Sequence, residues 1–143
     1  MRGRRGKVKG VFGNRQAPKW EGSNERMNVP PVEKHDWQEW RPFPDPKRKG
    51  LLIAPFGAGV YELRDKMTKE KILCGESKNV AARMSSLLPR PYGIGTRKNP
   101  DKREFVCSHI REIEYRIVTC RTKQEAKEIE RELKHTYVYR FRQ

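Results

Sequence analysis

Cysteine is scarce in this chain, and what there is does not pair: Cys74, Cys107 and Cys120 form an odd set without a C-x-x-C motif. That pattern suits neither a disulfide framework nor a zinc knuckle, and it points to a reducing compartment. Long apolar runs are missing as well. No stretch approaches membrane-spanning length, and the N-terminus has no apolar signal core, so a membrane is not an expected partner. Acidic residues are few beside basic ones, 18 against 33, which leaves a net charge of +15 on 143 residues. A surplus of that size attracts polyanions at long range, so DNA, RNA and anionic lipid are the candidates before any motif is read. Apolar residues make up only 34% of the chain. A core can therefore be built over about a hundred residues but not over the whole length. His35, His109 and His135 stand at no metal-ligand spacing to cysteine or to each other and read as ordinary side chains.

Three stretches differ in composition. Residues 1–35 are polar, aperiodic and glycine-containing, too poor in apolar surface to offset chain entropy, so a disordered basic N-terminal arm is expected. Its start carries Arg2, Arg4, Arg5, Lys7, Lys9, Arg15 and Lys19 with no acid between them. Nuclear targeting or nucleic-acid contact fits this arm. Organelle import is the lesser reading, because a transit peptide should be richer in serine and amphipathic. Residues 36–56 form a Pro/Trp-rich extended strap, since the alternating Pro42, Pro44 and Pro46 forbid a helix. Trp37, Trp40 and Phe43 in it have the faces to stack on bases, but burial against the domain is the expected use of such rings. Residues 57–143 hold the dense part.

Within that part, Gly59 to Arg64 alternates as a strand, Asp65 to Glu70 is a polar turn, and Lys71 to Gly75 is the return strand of a hairpin. Ser77 offers an N-cap for a helix ending before Pro89, with Val80, Met84, Leu87 and Leu88 on one stripe. Pro89 to Arg103 reads as a Gly/Pro/basic loop, and Arg90, Arg97, Lys98, Lys102 and Arg103 are its candidate phosphate contacts. Ile113 to Thr119 alternates as a third strand. Thr122-x-x-Glu125 is a capping box that opens a last helix reaching about Tyr137, with Ala126, Ile129, Leu133 and Tyr137 on its apolar stripe. The fold class expected is α+β: a small, mainly antiparallel three-stranded sheet flanked by helices.

Two charges sit oddly on these helices. Glu130 borders the apolar stripe of the last helix, four residues after Ala126 and three before Leu133. A carboxylate at a core edge needs a cation or a metal, and a structural ion pair is the plain alternative. Arg83 borders the first helix's stripe in the same way, where an arginine snorkelling outward is common. With Tyr61 on the first strand they form a candidate constellation, although periodicity does not bring the three together.

Gly59-Val60-Tyr61, Gly75-x-Ser77-x-Asn79-x-x-x-Arg83 and Ala126-x-x-x-Glu130-x-x-Leu133-Lys134 together resemble the GIY-YIG nuclease superfamily, over residues 57–137. Within it the chain is similar to the plant effector-of-transcription proteins, on Trp40-Arg-Pro-Phe-Pro-Asp-Pro-Lys, Ala54-Pro-Phe-Gly-Ala-Gly-Val-Tyr-Glu-Leu-Arg and Arg83-Met-Ser-Ser-Leu-Leu-Pro. The longer members of that family carry Cys/His-rich repeats that are absent here. The resemblance implies a role for each matched residue: Tyr61 as general base, Arg83 as phosphate clamp, Glu130 as holder of one divalent ion, and Gly59 and Gly75 as the motif glycines. Leu73 stands where the family has a second tyrosine that helps order the site, and the family's frequent asparagine beyond the glutamate is missing.

A free tyrosine is a poor base near neutrality, and lowering its pKa by about 3 units takes roughly 4 kcal/mol. Arg83, a metal-bound water and Lys71 are the cations within reach of that task. One carboxylate with waters and a substrate phosphate suits Mg²⁺, or Mn²⁺. The resemblance thus implies a nuclear, metal-dependent endonuclease that nicks DNA. The alternatives are a DNA-binding transcriptional regulator with weak or silent chemistry and a basic RNA-associated protein.

Overall fold

The computed structural model describes residues 29–48, 50–89 and 100–142. Three seven-residue strands dominate: β2 (Gly59–Asp65), β3 (Lys71–Ser77) and β4 (Ile113–Thr119). The two-residue β1 (Arg41–Pro42) makes a fourth, and all pairings are antiparallel in the order β1-β4-β2-β3. The helices are α1 (Val80–Ser85), α2 (Pro100–Ser108) and α3 (Lys123–Thr136). The α+β class holds, but the sheet has four strands rather than three. The extra strand comes from the strap, where Arg41 and Pro42 lie against the outer edge of β4 opposite Tyr115 and Glu114. An edge is where a sheet tolerates proline, because the missing N–H leaves no inner ladder bond unmade.

Alternation along the strands sorts the core onto two faces. Tyr61, Leu63, Leu73, Tyr115 and Ile117 pack with Val80 and Met84 of α1, with Leu87 just after it and with Val106 of α2. Val60, Cys74 and Val118 pack on the other face with Ala126, Ile129 and Leu133 of α3. The stripe residues Val80 and Met84 of α1 and Ala126, Ile129 and Leu133 of α3 are buried, as are Leu87 and Leu88, but α1 ends at Ser85 rather than before Pro89, and Tyr137 is half-buried at the C-cap of α3. Thr122 caps α3 by accepting from the Glu125 amide at 3.1 Å, and the Glu125 carboxylate accepts in return from the Arg121 amide at 2.8 Å. The cap of α1 is Asn79, which accepts from the Ala82 amide at 3.1 Å, rather than Ser77. Ser77 instead accepts from the Asn79 amide at 3.0 Å and so shapes the turn into the helix.

Two further sequence expectations change at their boundaries. Residues 1–28 of the basic arm lie outside the described residues, but Pro31–Lys34 is a 3-10 turn docked on α3, with Val32 1% exposed. The Trp37 indole donates to the Val32 carbonyl at 2.8 Å and fastens the turn to the strap. The stretch expected as a loop to Arg103 becomes helix at Pro100, a residue suited to a first helical turn because its missing N–H is not needed there. The charged run Asp101-Lys102-Arg103-Glu104 hid this helix, since only Lys102 and Val106 of α2 are buried and no apolar stripe marks it.

The phase of α3 can be checked by substitution. Leu133→Asp puts an unpaired charge into a fully buried position and should abolish cooperative unfolding in circular dichroism melts. Glu128→Ala, on the exposed side, should shift stability by less than about 0.5 kcal/mol. Val32→Ala should cost about 2 kcal/mol if the turn is an integral part of the fold.

Candidate functional site and the buried charge network

Tyr61 and Gly75 face each other across β2 and β3. The tyrosine ring lies directly over the glycine. A Cβ there would overlap the phenolic oxygen and come within 2.6 Å of Cζ and 3.0 Å of Cε1. The second motif glycine is thus glycine because the first motif tyrosine occupies its side-chain space. Gly59 is confined in the same way: a Cβ would meet the Val118 carbonyl at 2.6 Å and Val80 Cγ2 at 3.0 Å. Tyr61 is 2% exposed, so its hydroxyl belongs to the floor of the sheet rather than to an open surface. Leu73 is fully buried opposite Leu63. A tyrosine at that position would have to displace core side chains, so the motif departure is also a packing choice.

Arg83 stands on α1 and is exposed. Glu130 stands on α3, its side chain 24% exposed and its carboxylate 3.4 Å from Lys134 Nζ. Tyr61 and Arg83 therefore belong to the face covered by α1, and Glu130 to the helix on the opposite face. What brings the two sides near each other is β3, an edge strand of the sheet that both helices contact. At its end, Glu76 lines a groove of about 390 Å³ together with Glu130, Lys127, Arg131, Lys134 and Arg142. Glu76 Oε1 is buried and has no hydrogen-bond partner among the described residues.

Of the candidate phosphate contacts, Arg90, Arg97 and Lys98 lie outside the described residues. Lys102 is only 8% exposed, and the Arg103 guanidinium donates to the Leu88 carbonyl at 3.0 and 2.6 Å. The carbonyl left open after α1 takes up Arg103, so this arginine serves the helix junction. Lys71, a candidate for acidifying Tyr61, is instead paired with Glu62 on the other face, Nζ to Oε2 at 2.8 Å. Strand alternation explains this, because Glu62 and Tyr61 necessarily point to opposite sides.

Glu62 is the residue that sequence reading missed. It is fully buried, and its carboxylate accepts from Arg116 Nε at 2.7 Å, from Lys71 Nζ at 2.8 Å and from the Tyr139 hydroxyl at 2.5 Å. Arg116 also forks onto Glu33, two bonds of 2.8 Å, and the Tyr137 hydroxyl donates to Glu33 at 2.5 Å. The indoles roof this cluster. The Arg116 guanidinium lies 4.1 Å from the Trp37 ring centroid and 4.8 Å from that of Trp40, while Arg64 sits 3.8 Å from Trp40. The two tryptophans thus hold cations of their own chain. Burial pulls the Lys71 ammonium below its ordinary range against the attraction of Glu62. Burial also raises the Glu33 carboxyl, but the hydrogen bonds from Arg116 and Tyr137 outweigh it and bring the pKa down to about 2.

The cysteines take no part in such chemistry. Burial, reinforced by Glu62, pushes the Cys74 thiol up to about 12, and burial pushes Cys120 up to about 11. A thiol held protonated is a poor nucleophile. His109 stacks on Phe105 at 4.1 Å, and His35 meets Glu132 at 2.8 Å. Among the described residues no group of three or more His, Cys, Asp or Glu side chains is arranged around a common centre, and no helix is long and apolar enough to cross a membrane. No protein-family model matches this chain, and no curated protein matches it.

Gly75→Ala should destabilise the fold by about 1–3 kcal/mol through overpacking. The same substitution in a Tyr61→Ala background should cost little, a coupling that a double-mutant cycle in urea would read directly. The Glu33 shift carries a sign that can be tested. A carboxylate whose pKa falls on folding adds stability above its unfolded value, near 4.5, and that stability is lost as pH drops towards about 2. The stability gap between wild type and Glu33→Gln should therefore be full above about pH 5 and close progressively between about pH 4.5 and 2, as measured by urea unfolding across that range.

Proposed function

We propose that this protein binds DNA through its basic surface and hydrolyses a phosphodiester bond in it, in the manner of the GIY-YIG nucleases, in the nucleus. The observation that supports this reading is the pairing of Tyr61 with Gly75 on adjacent strands, the ring filling the space of the glycine side chain. The elements around that pair follow one another as hairpin, helices, strand and helix, with β2 in the middle of the three long strands. In this reading the scissile phosphate would lie at the Gly75–Ser77 end of β3, where α1 begins on one face and the groove of Glu130 opens on the other.

The chain's own residues would divide the work. Arg83 would clamp a non-bridging phosphate oxygen and balance the charge that grows on it. The Tyr61 hydroxyl would take the proton of the attacking water as general base. Glu130 and Glu76 offer two carboxylates on one groove, an all-oxygen donor set of the kind Mg²⁺ or Mn²⁺ accepts while keeping several waters. When bound, such an ion would polarise the phosphoryl oxygen and stabilise the leaving group.

A second reading rests on a specific observation. The hydroxyl meant to serve as base belongs to a residue only 2% exposed, and Leu73 fills the place of the second motif tyrosine. These features favour a DNA-binding transcriptional regulator in which the domain does not cut. A supercoiled plasmid with and without Mg²⁺ separates the two. If the nuclease reading holds, wild type nicks. Tyr61→Phe, Arg83→Ala and Glu130→Gln should then each slow nicking by about a hundredfold or more, and their combination should add little. Tyr61→Phe should keep its DNA affinity. Robust nicking by the Tyr61→Phe or Glu130→Gln protein would remove this site, and tight binding without nicking by wild type would leave the regulator.

A further inference from the structure

Helix α3 carries a row of basic side chains that the core does not use, beside the groove of Glu130. At about 100° per residue, Lys123, Lys127, Arg131 and Lys134 fall on one arc beside the buried stripe of Ala126, Ile129 and Leu133. Lys123, Lys127 and Arg131 are exposed, and Lys134 is half-buried. Arg142, from the segment after the helix, joins Lys127, Arg131 and Lys134 around the same groove. Four cations there stand against the two carboxylates of Glu76 and Glu130. Lys123 and Lys134 are eleven positions apart, about 16 Å of helix at 1.5 Å per residue. Successive phosphates of one strand wind around the duplex as well as rising along it, so a straight stripe of this length faces only a few of them.

We propose that this stripe and its groove, none of whose residues belong to the basic segment 90–103, hold one strand of a DNA backbone. The inference rests on the DNA-binding half of the function proposed above and not on cleavage. A flat anionic membrane fits less well. A helix that lies on lipid needs an apolar face to insert, and the exposed large hydrophobic residues (Leu51, Phe56 and Met67 the most open) all lie off α3. Glu130 lies between this arc and the buried stripe and borders the same groove, so a backbone seated there runs beside the residue assigned to the metal.

Fluorescence anisotropy of a short labelled duplex tests the surface, with three full-length proteins: wild type, Lys127→Glu/Arg131→Glu, and Lys47→Glu/Lys66→Glu. All four substituted positions are exposed, so thermal melts should coincide and fold loss is separable from binding loss. The α3 variant should lose at least about tenfold in affinity, and its log–log salt slope should flatten by about two, as expected for two phosphate contacts removed. The control pair should stay within about twofold. Unchanged affinity in the α3 variant, or an equal loss in both variants, overturns the surface while leaving DNA binding itself in place. Failure of wild type to bind at low salt removes the function proposed above and the surface with it. A parallel sedimentation with phosphatidylserine vesicles gives the remaining outcome: loss of vesicle binding with duplex affinity intact would assign the stripe to lipid and overturn the proposal.

Discussion

A fully buried carboxylate costs several kcal/mol unless cations and donors surround it, and removing one partner of such a pair leaves an uncompensated charge. Glu62 is that carboxylate here, and the way it is satisfied organises one whole side of the molecule. Its partners come from the neighbouring strands, Lys71 on β3 and Arg116 on β4, and from Tyr139 beyond the last helix. Arg116 then reaches Glu33, which pins the N-terminal turn, and Tyr137 closes the ring from the C-terminal side. Segments about a hundred residues apart in sequence are tied to one charge centre. The strap, whose prolines prevent a helix, is held over that centre by the cations beneath Trp37 and Trp40. An apolar core would hold the sheet and helices together without specifying where these two ends go. The ion network supplies that specification.

The same alternation that turns Glu62 towards the network turns Tyr61 away from it. The sheet thereby separates two chemistries. One face carries the tyrosine fitted over Gly75 and bounded by the α1 core, and the other carries α3 with its carboxylate and its basic stripe. A reaction that used groups from both would sit at the margin of β3, among the described residues the one long strand with a neighbouring strand on one side alone. The C-terminal segment already covers part of that margin, because the Arg140 and Phe141 amides donate to the Lys71 and Ile72 carbonyls at 3.1 and 2.9 Å. Among the described residues the C-terminal segment makes no such bond to the end holding Gly75, Glu76 and Ser77. This is also where the groove of Glu130 lies, so access of a phosphate to the groove and access to the strand end are one geometric question.

Several features were legible in the chain itself because they depend on local periodicity and local capping. The hairpin, the strand at Ile113–Thr119, the stripes of α1 and α3 and the Thr122 cap all follow from which residues recur at two or at three to four positions. The position of Glu130 at the edge of a stripe was legible for the same reason. Helix α2 was not, because its burial rests on Lys102 and Val106 among charged neighbours, and no period announces it.

The partners of the charged residues were not legible either, since cross-strand register decides them. Glu62 meets Arg116 only because β2 and β4 pair with those residues opposite, and Lys71 joins Glu62 only because an irregularity at Leu63–Arg64 brings Arg64 level with it. Gly75 gave no sign that it makes room for a tyrosine fourteen residues away, and nothing in the arginine run of the supposed loop told that Arg103 would close the carbonyl of Leu88. The sequence by itself determined the elements, the two apolar faces and the cationic surplus. The tertiary structure alone decided which charges are buried, which are spent on the fold and which remain on the surface, because that depends on contacts between positions tens of residues apart that no local pattern encodes.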